Sequence, residues 1–320
     1  MEEFKYQIPE ESIDSAGLDA RLLRSIEESL RNIFNHHGYE ELMLPTFEYI
    51  NLYNGLEVDE SSMFQFTNYE GKRIALRTDF TVPIARLYNN ANTSSVRRYS
   101  YFGKVFHTQK RHKGRSSEIF QGGMELIGLK GLEGDLECLS LIQETMKTLK
   151  LHDLKLELGS AKFYKRLTSI LGNRKLVEIM TKKQISEMEK FVKDHGIEGE
   201  MKDLLLYLPQ AFGDVSVLYK MKTLVTDERL KEAVNELEEL YLKAEDKEMI
   251  SFDFCMVPSQ SYYTGVMFNG YSYYSAHPIL SGGRYDHLFN YFNSHVPSIG
   301  FCFHMNEVLN AYTKEDEIYD

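Results

Sequence analysis

The chain has 320 residues, of which 42% are hydrophobic and 12% aromatic, so it can build a substantial core and does not resemble a disordered segment. Its formal net charge of -11 repels polyanions and argues against a nucleic-acid-binding protein. Cys138, Cys255 and Cys302 are widely spaced, and neither a signal peptide nor a membrane-length apolar run is present. These totals predict a soluble, reduced, cytoplasmic protein of one large domain or two.

The amino-terminal quarter of the chain predicts a helix, a strand and a hairpin. Apolar side chains spaced by three and four positions over 18–36 indicate one face of a helix, and Gly38 is placed to end it. The extended pattern of 39–45, closed by proline, predicts a strand. Residues 63–67 and 73–77 flank a turn-forming segment and predict a β-hairpin.

The next segment predicts a helix followed by two strands joined by a basic loop. Helical spacing returns at Ile84, and 97–128 then alternates as strands do, except at Lys110-Arg-His-Lys-Gly-Arg115. By its charge alone, this loop is best interpreted as a solvated hairpin tip. The alternative is a contact with phosphate or RNA.

The second half of the chain alternates between helical and strand-rich regions. Residues 131–150 predict a helix, 155–158 a strand, and 160–249 a charge-rich helical block. Aromatic strands punctuated by glycine follow over 250–303, before a last helix at 305–312. Strands outnumber βα alternations, so we expect an α+β fold with a mostly antiparallel sheet flanked by helices. No GxGxxG or GxxxxGK[ST] motif indicates a nucleotide fold.

Two glycine- and tyrosine-containing segments carry functional groups whose role the residues alone leave open. Ser281-Gly-Gly-Arg-Tyr-Asp286 allows close approach of a ligand, although a tight turn with a surface Arg–Asp pair is the better interpretation in isolation. Tyr262 and Tyr263 are expected to lie in a strand, with one ring buried and the other exposed.

Three titratable residues need an environment that the sequence does not show. Asp79 and Glu125 stand among apolar or small residues, and a buried carboxylate requires either structural hydrogen bonds or a cationic ligand. His107 is expected to be a core histidine within a strand rather than a catalytic one. The ten histidines form no HExxH motif, so we expect no metal site.

Taken together, these segments resemble the catalytic core of class II aminoacyl-tRNA synthetases, specifically histidyl-tRNA synthetase. The resemblance covers nearly the whole chain except the helical block. The matching segments are Gly38–Pro45 (the dimer-interface element), Leu76–Thr81 ("LRPEGT"), Val105–Gly128 (the strand–loop–strand motif), Tyr262–Thr264 and Ser281–Asp286 (the histidine signatures), and Pro297–Phe301 (the third class II motif).

The resemblance also implies a domain organisation. We expect residues 1–320 to form one class II synthetase-like core, interrupted by a mainly helical insertion at about 160–249. Far fewer residues follow Glu307 than the roughly 50 that a domain needs, so we expect no anticodon-binding domain.

Where the chain departs from the synthetase, it loses cations. In the family, a Phe-Arg-x-Glu motif supplies an arginine that binds the α-phosphate of ATP. In this chain His107 replaces that arginine and Gln109 replaces the glutamate. Pro258 and Glu307 stand where the family has arginines for the reacting carboxylate and the outer phosphates, respectively. Activation of the amino acid depends on fixed cations, and one charge pair at 4 Å is worth about 4 kcal/mol at a dielectric near 20. We therefore expect no catalytic residues and no aminoacylation.

The amino-acid half of the site matches the family better. A carboxylate and a phenol are suited to bind the two ring nitrogens of an imidazole. The resemblance places three residues at the α-amino end of histidine, namely Asp79, Thr81 and Gln121. It places another three around the imidazole, namely Glu125, Tyr263 and Tyr285.

A histidyl-tRNA synthetase core without these arginines resembles the regulatory subunits of ATP phosphoribosyltransferase. That resemblance implies a role in the first step of histidine biosynthesis, where the chain enables a short catalytic subunit and transmits feedback inhibition. It implies histidine as an effector ligand and no cofactor. It also implies a self-dimer through the class II interface within a hetero-octamer, with no membrane and no nucleic acid as partner.

Two alternatives remain open. A truncated synthetase paralogue would still activate an amino acid, with Arg77, Arg115 and Arg284 as its phosphate or ligand contacts, and would show histidine-dependent ATP–pyrophosphate exchange. An RNA-binding module would use the basic loop and retain tRNA in a salt-dependent manner. The acidic net charge counts against the second alternative.

Overall fold

The computed structural model describes residues 5–9, 12–56, 59–91, 95–108, 116–172 and 174–319, with side chains up to residue 314. The α-helices of this part are α1 Gly17–His36, α2 Thr81–Asn90, α3 Gly131–Thr148, α4 Ala161–Leu171, α5 Arg174–Lys182, α6 Ile185–Asp194, α7 Gly199–Tyr207, α8 Val215–Leu224, α9 Glu228–Lys243 and α10 Met305–Tyr319. The strands are β1 Glu40–Leu42, β2 Phe47–Tyr49, β3 Gln65–Thr67, β4 Arg73–Leu76, β5 Arg97–Phe106, β6 Glu118–Ile127, β7 Lys155–Ser160, β8 Phe212–Gly213, β9 Ile250–Asp253, β10 Val266–Tyr271, β11 Leu280–Arg284 and β12 Ser298–His304.

A nine-stranded sheet forms the centre of the protein, in the order β1-β5-β6-β12-β11-β10-β7-β9-β8. The pairs β1–β5 and β7–β9 are parallel. The other neighbouring pairs in this sheet are antiparallel. The expectation of a mostly antiparallel sheet flanked by helices is therefore confirmed. A second, three-stranded sheet has the order β2-β4-β3.

The apolar stripe of the first helix is the face that the helix buries. Ile26, Leu30 and Phe34 are buried against the sheet, and the chain then leaves the helix through Gly38, whose φ is +76°. Within the same helix Glu27 is only 6% exposed, because Arg24 and Arg31 both donate hydrogen bonds to its carboxylate. The helix predicted over 18–36 is confirmed.

The predicted hairpin is confirmed, and its turn is stabilised by a side chain. The Oδ1 atom of Asn68 accepts hydrogen bonds from the backbone N–H groups of Glu70 and Lys72, at 3.0 and 2.9 Å. Gly71 occupies the left-handed region with φ +79°. The longer hairpin of β5 and β6 is also present, but Gln109 and the basic loop up to Arg115 lie outside the described residues.

The strand predicted over 39–45 is shorter than expected, and β2 was not predicted. The burial pattern of β2 is the reverse of the usual one. Phe47 and Tyr49 are 54% and 52% exposed, whereas Glu48 between them is 9% exposed. Arg86 donates a hydrogen bond of 2.7 Å to the Glu48 carboxylate, which compensates for its burial. A pattern of this kind cannot be assigned to the correct face of a sheet from hydrophobicity alone.

Helices α4 to α9 occupy the chain between β7 and β9, where the sequence predicts a helical block. Their apolar faces join the hydrophobic cluster of the central sheet. The two-residue strand β8 adds to the sheet edge beside β9, and it is too short to leave a sequence pattern. The description of this block as an insertion stays a prediction.

The core lies on both faces of the sheet. Helices α1, α3 and α10 cover one face, where Leu30, Ile142 and Val308 are fully buried. Helix α2 and a 3-10 turn at Leu288–Phe292 belong to the second cluster, which also contains Tyr263 and Tyr285. Among the helices described, none has the length and apolar character needed to cross a membrane.

Candidate functional site

The candidate site lies on a floor formed by three neighbouring strands. Glu125 of β6 stands opposite Gly300 of β12, and Gly300 stands opposite Gly283 of β11. A Cβ atom at Gly300 would lie 1.9 Å from the Glu125 Oε2 atom and 2.6 Å from the carbonyl oxygen of Met124. Glycine is therefore required at position 300 for the Glu125 side chain to lie across the strand.

Glu125 is a buried carboxylate bound by two hydroxyl groups. Glu125 is 2% exposed. The Thr81 hydroxyl donates a 2.6 Å hydrogen bond to Oε1, and the Tyr285 hydroxyl donates to Oε2. Burial raises the pKa of Glu125 to about 7, although both hydroxyl donors oppose the shift. The group can therefore gain or lose a proton near neutral pH.

Asp79 lies at the junction of β4 and α2 and binds the first turn of the helix. Its Oδ1 atom accepts a 2.7 Å hydrogen bond from the backbone N–H of Val82, and the Thr78 hydroxyl donates to Oδ2 at 3.2 Å. Burial raises the pKa of Asp79 to about 6, and the nearby charge of Glu48 adds to the shift. The carboxylate thus has a structural role and also faces the site, where its charge raises the pKa of Glu125.

Three tyrosine side chains lie together beside Glu125. Tyr262 makes edge contacts with Tyr263 and Tyr285, at ring-centroid distances of 5.6 and 5.8 Å. Burial raises the pKa of each hydroxyl, and the charge of Glu125 adds to every shift. The structure therefore brings Tyr263 and Tyr285 together with Glu125, as the resemblance implies.

The expectation for Tyr262 and Tyr263 was wrong in two respects. They lie in a turn before β10 rather than in a strand, and neither ring is exposed, with Tyr263 9% exposed and Tyr262 half-buried. Lys165 supports this turn by donating hydrogen bonds to the carbonyl oxygens of Ser261 and Tyr263, at 2.9 and 2.6 Å. A pair of adjacent tyrosines does not reveal such a turn.

The far end of the floor is polar. Gln121 of β6 lies opposite His304 of β12, on the same sheet face as Glu125 and four residues before it. The His304 Nε2 atom is 3.2 Å from the Ser281 hydroxyl. Burial lowers the pKa of His304 to about 4, so the ring is neutral at physiological pH. Gln121 is therefore separate from the Glu125 end of the site.

Arg77 and Arg284 are not arranged as phosphate contacts. Arg77 is 6% exposed and donates hydrogen bonds to the carbonyl oxygens of Leu44, Pro45 and Lys104, between 2.8 and 3.0 Å. Arg284 is 4% exposed and forms ion pairs with two carboxylates. Both guanidinium groups hold the fold together, because folding brings distant carbonyl and carboxylate oxygens around them.

The ion pairs of Arg284 also correct the expectation for the segment Ser281–Asp286. Asp135 of α3 accepts a 2.8 Å bond from Nε, and Asp286 accepts a 3.0 Å bond from Nη1. The segment is a buried strand end rather than a tight turn with a surface pair, since β11 runs through Arg284. Asp135, far away in sequence, could not be recognised as the partner.

The remaining positions of interest lie at the edges of the site. His107 follows the end of β5 rather than lying within it, and burial lowers the pKa of its ring. Pro258 is half-buried in the connection from β9 to β10. Glu307, in the first turn of α10, accepts a 2.6 Å hydrogen bond from the Ser275 hydroxyl. Arg115 and Gln109 lie outside the described residues.

Residues that sequence reasoning did not select complete the site. Tyr101 stacks on Phe80 at a centroid distance of 4.2 Å, and Cys302 of β12 lies near Ser281 of β11. Burial and the charge of Glu125 raise the pKa of the Cys302 thiol, to about 12. In the described part of the chain no group of His, Cys, Asp and Glu side chains is arranged to hold a metal ion.

Gly300→Ala is expected to destabilise the protein by about 1–3 kcal/mol, because the added methyl overlaps a backbone carbonyl as well as the carboxylate. The free energy of unfolding measured with urea checks this. Gly131→Ala is a comparison, since a Cβ there meets nothing within 4 Å and only its φ of +56° is strained. Equal stability of Gly300→Ala and wild type would contradict the described packing.

Comparisons with known proteins agree with this architecture. The family model for histidyl-tRNA synthetase matches residues 14–308. The ATP phosphoribosyltransferase regulatory subunit of Lactococcus lactis subsp. cremoris (strain MG1363) is 43% identical over 98% of this chain and 100% of its own length. The chain belongs to the family of ATP phosphoribosyltransferase regulatory subunits, which have a histidyl-tRNA synthetase-like fold.

More distant relatives support the same family and fold. The ATP phosphoribosyltransferase regulatory subunit of Bacillus thuringiensis (strain Al Hakam) is 29% identical over 100% of this chain and 79% of its own length. A Bacillus halodurans structure described as an ATP phosphoribosyltransferase regulatory subunit/histidyl-tRNA synthetase has a TM-score of 0.87 at 26% identity, covering 97% of this chain and 83% of that one. A histidine–tRNA ligase subunit of Alicyclobacillus acidocaldarius, 21% identical, shares the fold with a TM-score of 0.80, covering 97% of this chain and 98% of that one.

Proposed function

We propose that this chain is a non-catalytic regulatory subunit that binds histidine in the Glu125–Tyr263–Tyr285 site and needs no cofactor. The observation that carries the proposal is the buried Glu125 carboxylate, with a pKa of about 7, beside tyrosine hydroxyls. An imidazole has its own pKa near 6.5, so ring and carboxyl can share one proton at neutral pH. The ammonium group of the ligand is then directed towards Asp79 and Thr81, which lie beside Glu125.

Among the residues that the structure describes, the two arginines considered as phosphate contacts give no support to amino-acid activation. Charge develops on the phosphates of ATP during that reaction and requires preorganised cations. Arg77 and Arg284 have protein oxygens as partners, and Glu307 places an anion at the start of α10. We therefore propose that the chain has no aminoacylation activity of its own. Histidine-dependent ATP–pyrophosphate exchange by the purified chain would overturn this part of the proposal.

The partner follows from the family. The names of the relatives describe a regulatory subunit of ATP phosphoribosyltransferase, so we propose that this chain enables a short catalytic subunit and transmits inhibition by histidine. The proposed assembly is a cytoplasmic hetero-oligomer, a hetero-octamer in which the chain dimerises. Such regulation requires that histidine bind two states of the complex with different affinities.

The test of this role is the activity of the catalytic subunit, measured with and without the chain across a histidine titration. Activation by the chain, and inhibition by histidine only when the chain is present, is the expected result. A catalytic subunit whose activity and histidine response are unchanged by the chain would overturn the proposed partnership.

Glu125→Gln is expected to weaken histidine binding by about 10- to 100-fold, because hydrogen bonds to a charged group contribute about 1.5–3 kcal/mol. Isothermal titration calorimetry with the purified chain measures this. Glu118→Gln, on the same strand but 40% exposed and paired with Lys104, is the matched control and should bind as wild type does. Unchanged affinity in Glu125→Gln would place histidine elsewhere.

A further inference from the structure

The turn that carries Tyr262 and Tyr263 belongs to the irregular connection between β9 and β10, over residues 254–265. Connections of this kind are more mobile than the strands they join, so the position of the two rings depends on contacts from other segments. On its carboxyl side the turn is held by the sheet, because the Thr264 N–H donates a 2.7 Å hydrogen bond to the carbonyl oxygen of Arg284. The position of the rings therefore depends on how the rest of the turn is held.

Lys165 of α4 holds the rest of the turn. Its ammonium group donates hydrogen bonds of 2.9 and 2.6 Å to the carbonyl oxygens of Ser261 and Tyr263. Hydrogen bonds from a charged donor are stronger than those between neutral groups. The two carbonyl groups belong to the residues on either side of Tyr262, so one side chain fixes both ends of the segment that carries this ring.

The rings of the turn pack directly against the proposed site. The Tyr262 ring contacts the Tyr285 ring at a centroid distance of 5.8 Å, and the Tyr285 hydroxyl donates a hydrogen bond to the Glu125 carboxylate. The Tyr263 ring lies 5.6 Å from the Tyr262 ring and is 9% exposed. A displacement of the turn would therefore change the surroundings of Glu125. Lys165 acts on the site through the backbone of this turn.

The next residue of α4 connects this helix to α9, at the other end of the helical block formed by α4 to α9. Arg166 forms an ion pair with Asp227, and its Nε and Nη2 atoms both donate to the carboxylate. Asp227 immediately precedes α9, and its Oδ1 atom accepts hydrogen bonds from the N–H groups of Arg229 and Leu230, at 3.0 and 3.1 Å. Helix α4 therefore holds the tyrosine turn with one side chain and the start of α9 with the next.

We propose that Lys165 is a positioning residue of the proposed histidine site, and that it couples this site energetically to the helical block. The inference rests on the proposed function and adds the element of the chain that responds to the ligand. Histidine bound beside Tyr263, and α4 in its described position, favour the same conformation of the turn. Such coupling is reciprocal, so whatever fixes the position of α4 also changes the affinity of the site for histidine.

The first test replaces Lys165 with methionine, which has a similar length but no donor. The affinity of the whole purified chain for histidine, measured by calorimetry, is expected to fall about tenfold, because the turn then adopts the binding conformation less often. Lys165→Arg keeps the donors and should bind within about threefold of the wild type. Lys162→Met is the matched control, since Lys162 is on the same helix but pairs with Glu236, and it should bind as the wild type does.

Amide hydrogen exchange tests the coupling itself at saturating histidine, where a difference in affinity no longer affects the result. In the wild type, histidine is expected to slow exchange both in residues 259–265 and at Arg229 and Leu230 in the first turn of α9. In Lys165→Met the slowing at α9 should be lost. The coupling would be contradicted by equal slowing at α9 in the two proteins, or by none in the wild type.

The outcomes separate this inference from the proposed function. If the wild type does not bind histidine, or Glu125→Gln binds it equally well, the proposed site is wrong and the inference falls with it. If binding depends on Glu125 but Lys165→Met binds as the wild type does, the site is correct and only the inference fails. Equal losses in Lys165→Met and Lys165→Arg would also overturn the inference, because the donors would then have no role. Urea denaturation checks that each variant is folded.

Discussion

Replacing Arg284 with methionine is expected to lower the free energy of unfolding by about 3–5 kcal/mol. The guanidinium is 4% exposed, forms ion pairs with Asp135 and Asp286, and donates a 2.7 Å hydrogen bond to the carbonyl oxygen of Gly131. Methionine fills part of the volume but leaves Asp135 buried without its partner. Burial already raises the pKa of Asp135 to about 6 with the arginine present.

Urea denaturation measures this loss, and an exposed arginine is the control. Arg73→Met removes an ion pair with Glu60 in which the side chains are 57% and 53% exposed, and it should cost less than about 1 kcal/mol. Similar losses in the two variants would contradict the structural role of Arg284. A double variant, Arg284→Met with Asp135→Asn, should recover part of the stability, because the unpaired charge is removed.

The stability advantage of the wild type over Glu125→Gln is expected to fall by about 3 kcal/mol as the pH rises from 4.5 to 7. The ordinary pKa of a glutamate carboxyl is 4.5, and burial raises the pKa of Glu125 to about 7 in the folded protein. Over this window the folded state holds the proton more tightly than the unfolded state, so rising pH favours unfolding. Each pKa unit corresponds to about 1.4 kcal/mol.

This dependence is measured by urea denaturation of both proteins at pH 5 and pH 8. Glutamine does not titrate, so subtracting the stability of the variant isolates the contribution of position 125. Glu118→Gln should show no comparable pH dependence relative to wild type, since its side chain is 40% exposed. A difference between wild type and Glu125→Gln that does not change with pH would contradict a buried, titrating carboxyl at this position.

Much of the fold follows from local patterns in the sequence. The apolar stripe of α1, the hairpin of β3 and β4, and the long strands β5 and β6 are all confirmed. Elements with weak or inverted patterns were missed. β2 exposes its aromatic side chains and buries Glu48, and β8 has two residues. These strands form because a neighbouring strand pairs with them, or because an arginine binds their buried carboxylate. The local sequence does not show that such a partner will be near.

Some residues of the candidate site were also predicted from the sequence, and others were found only in the structure. Glu125, Tyr263 and Tyr285 were selected from the sequence, and the structure brings them together. Tyr262 and Tyr101 were not selected as site residues, because aromatic residues are common in cores. The need for glycine at position 300 depends on the β6–β12 register, which places its Cα opposite Glu125.

The sequence by itself determined which charges the chain carries and which it lacks, including the absence of arginine at positions 107, 258 and 307. Only the tertiary structure decided how the remaining arginines act. Arg77 and Arg284 are buried among oxygens contributed by distant segments. A guanidinium binds whichever acceptors folding brings within reach, so its partners are a property of the assembled sheet and helices.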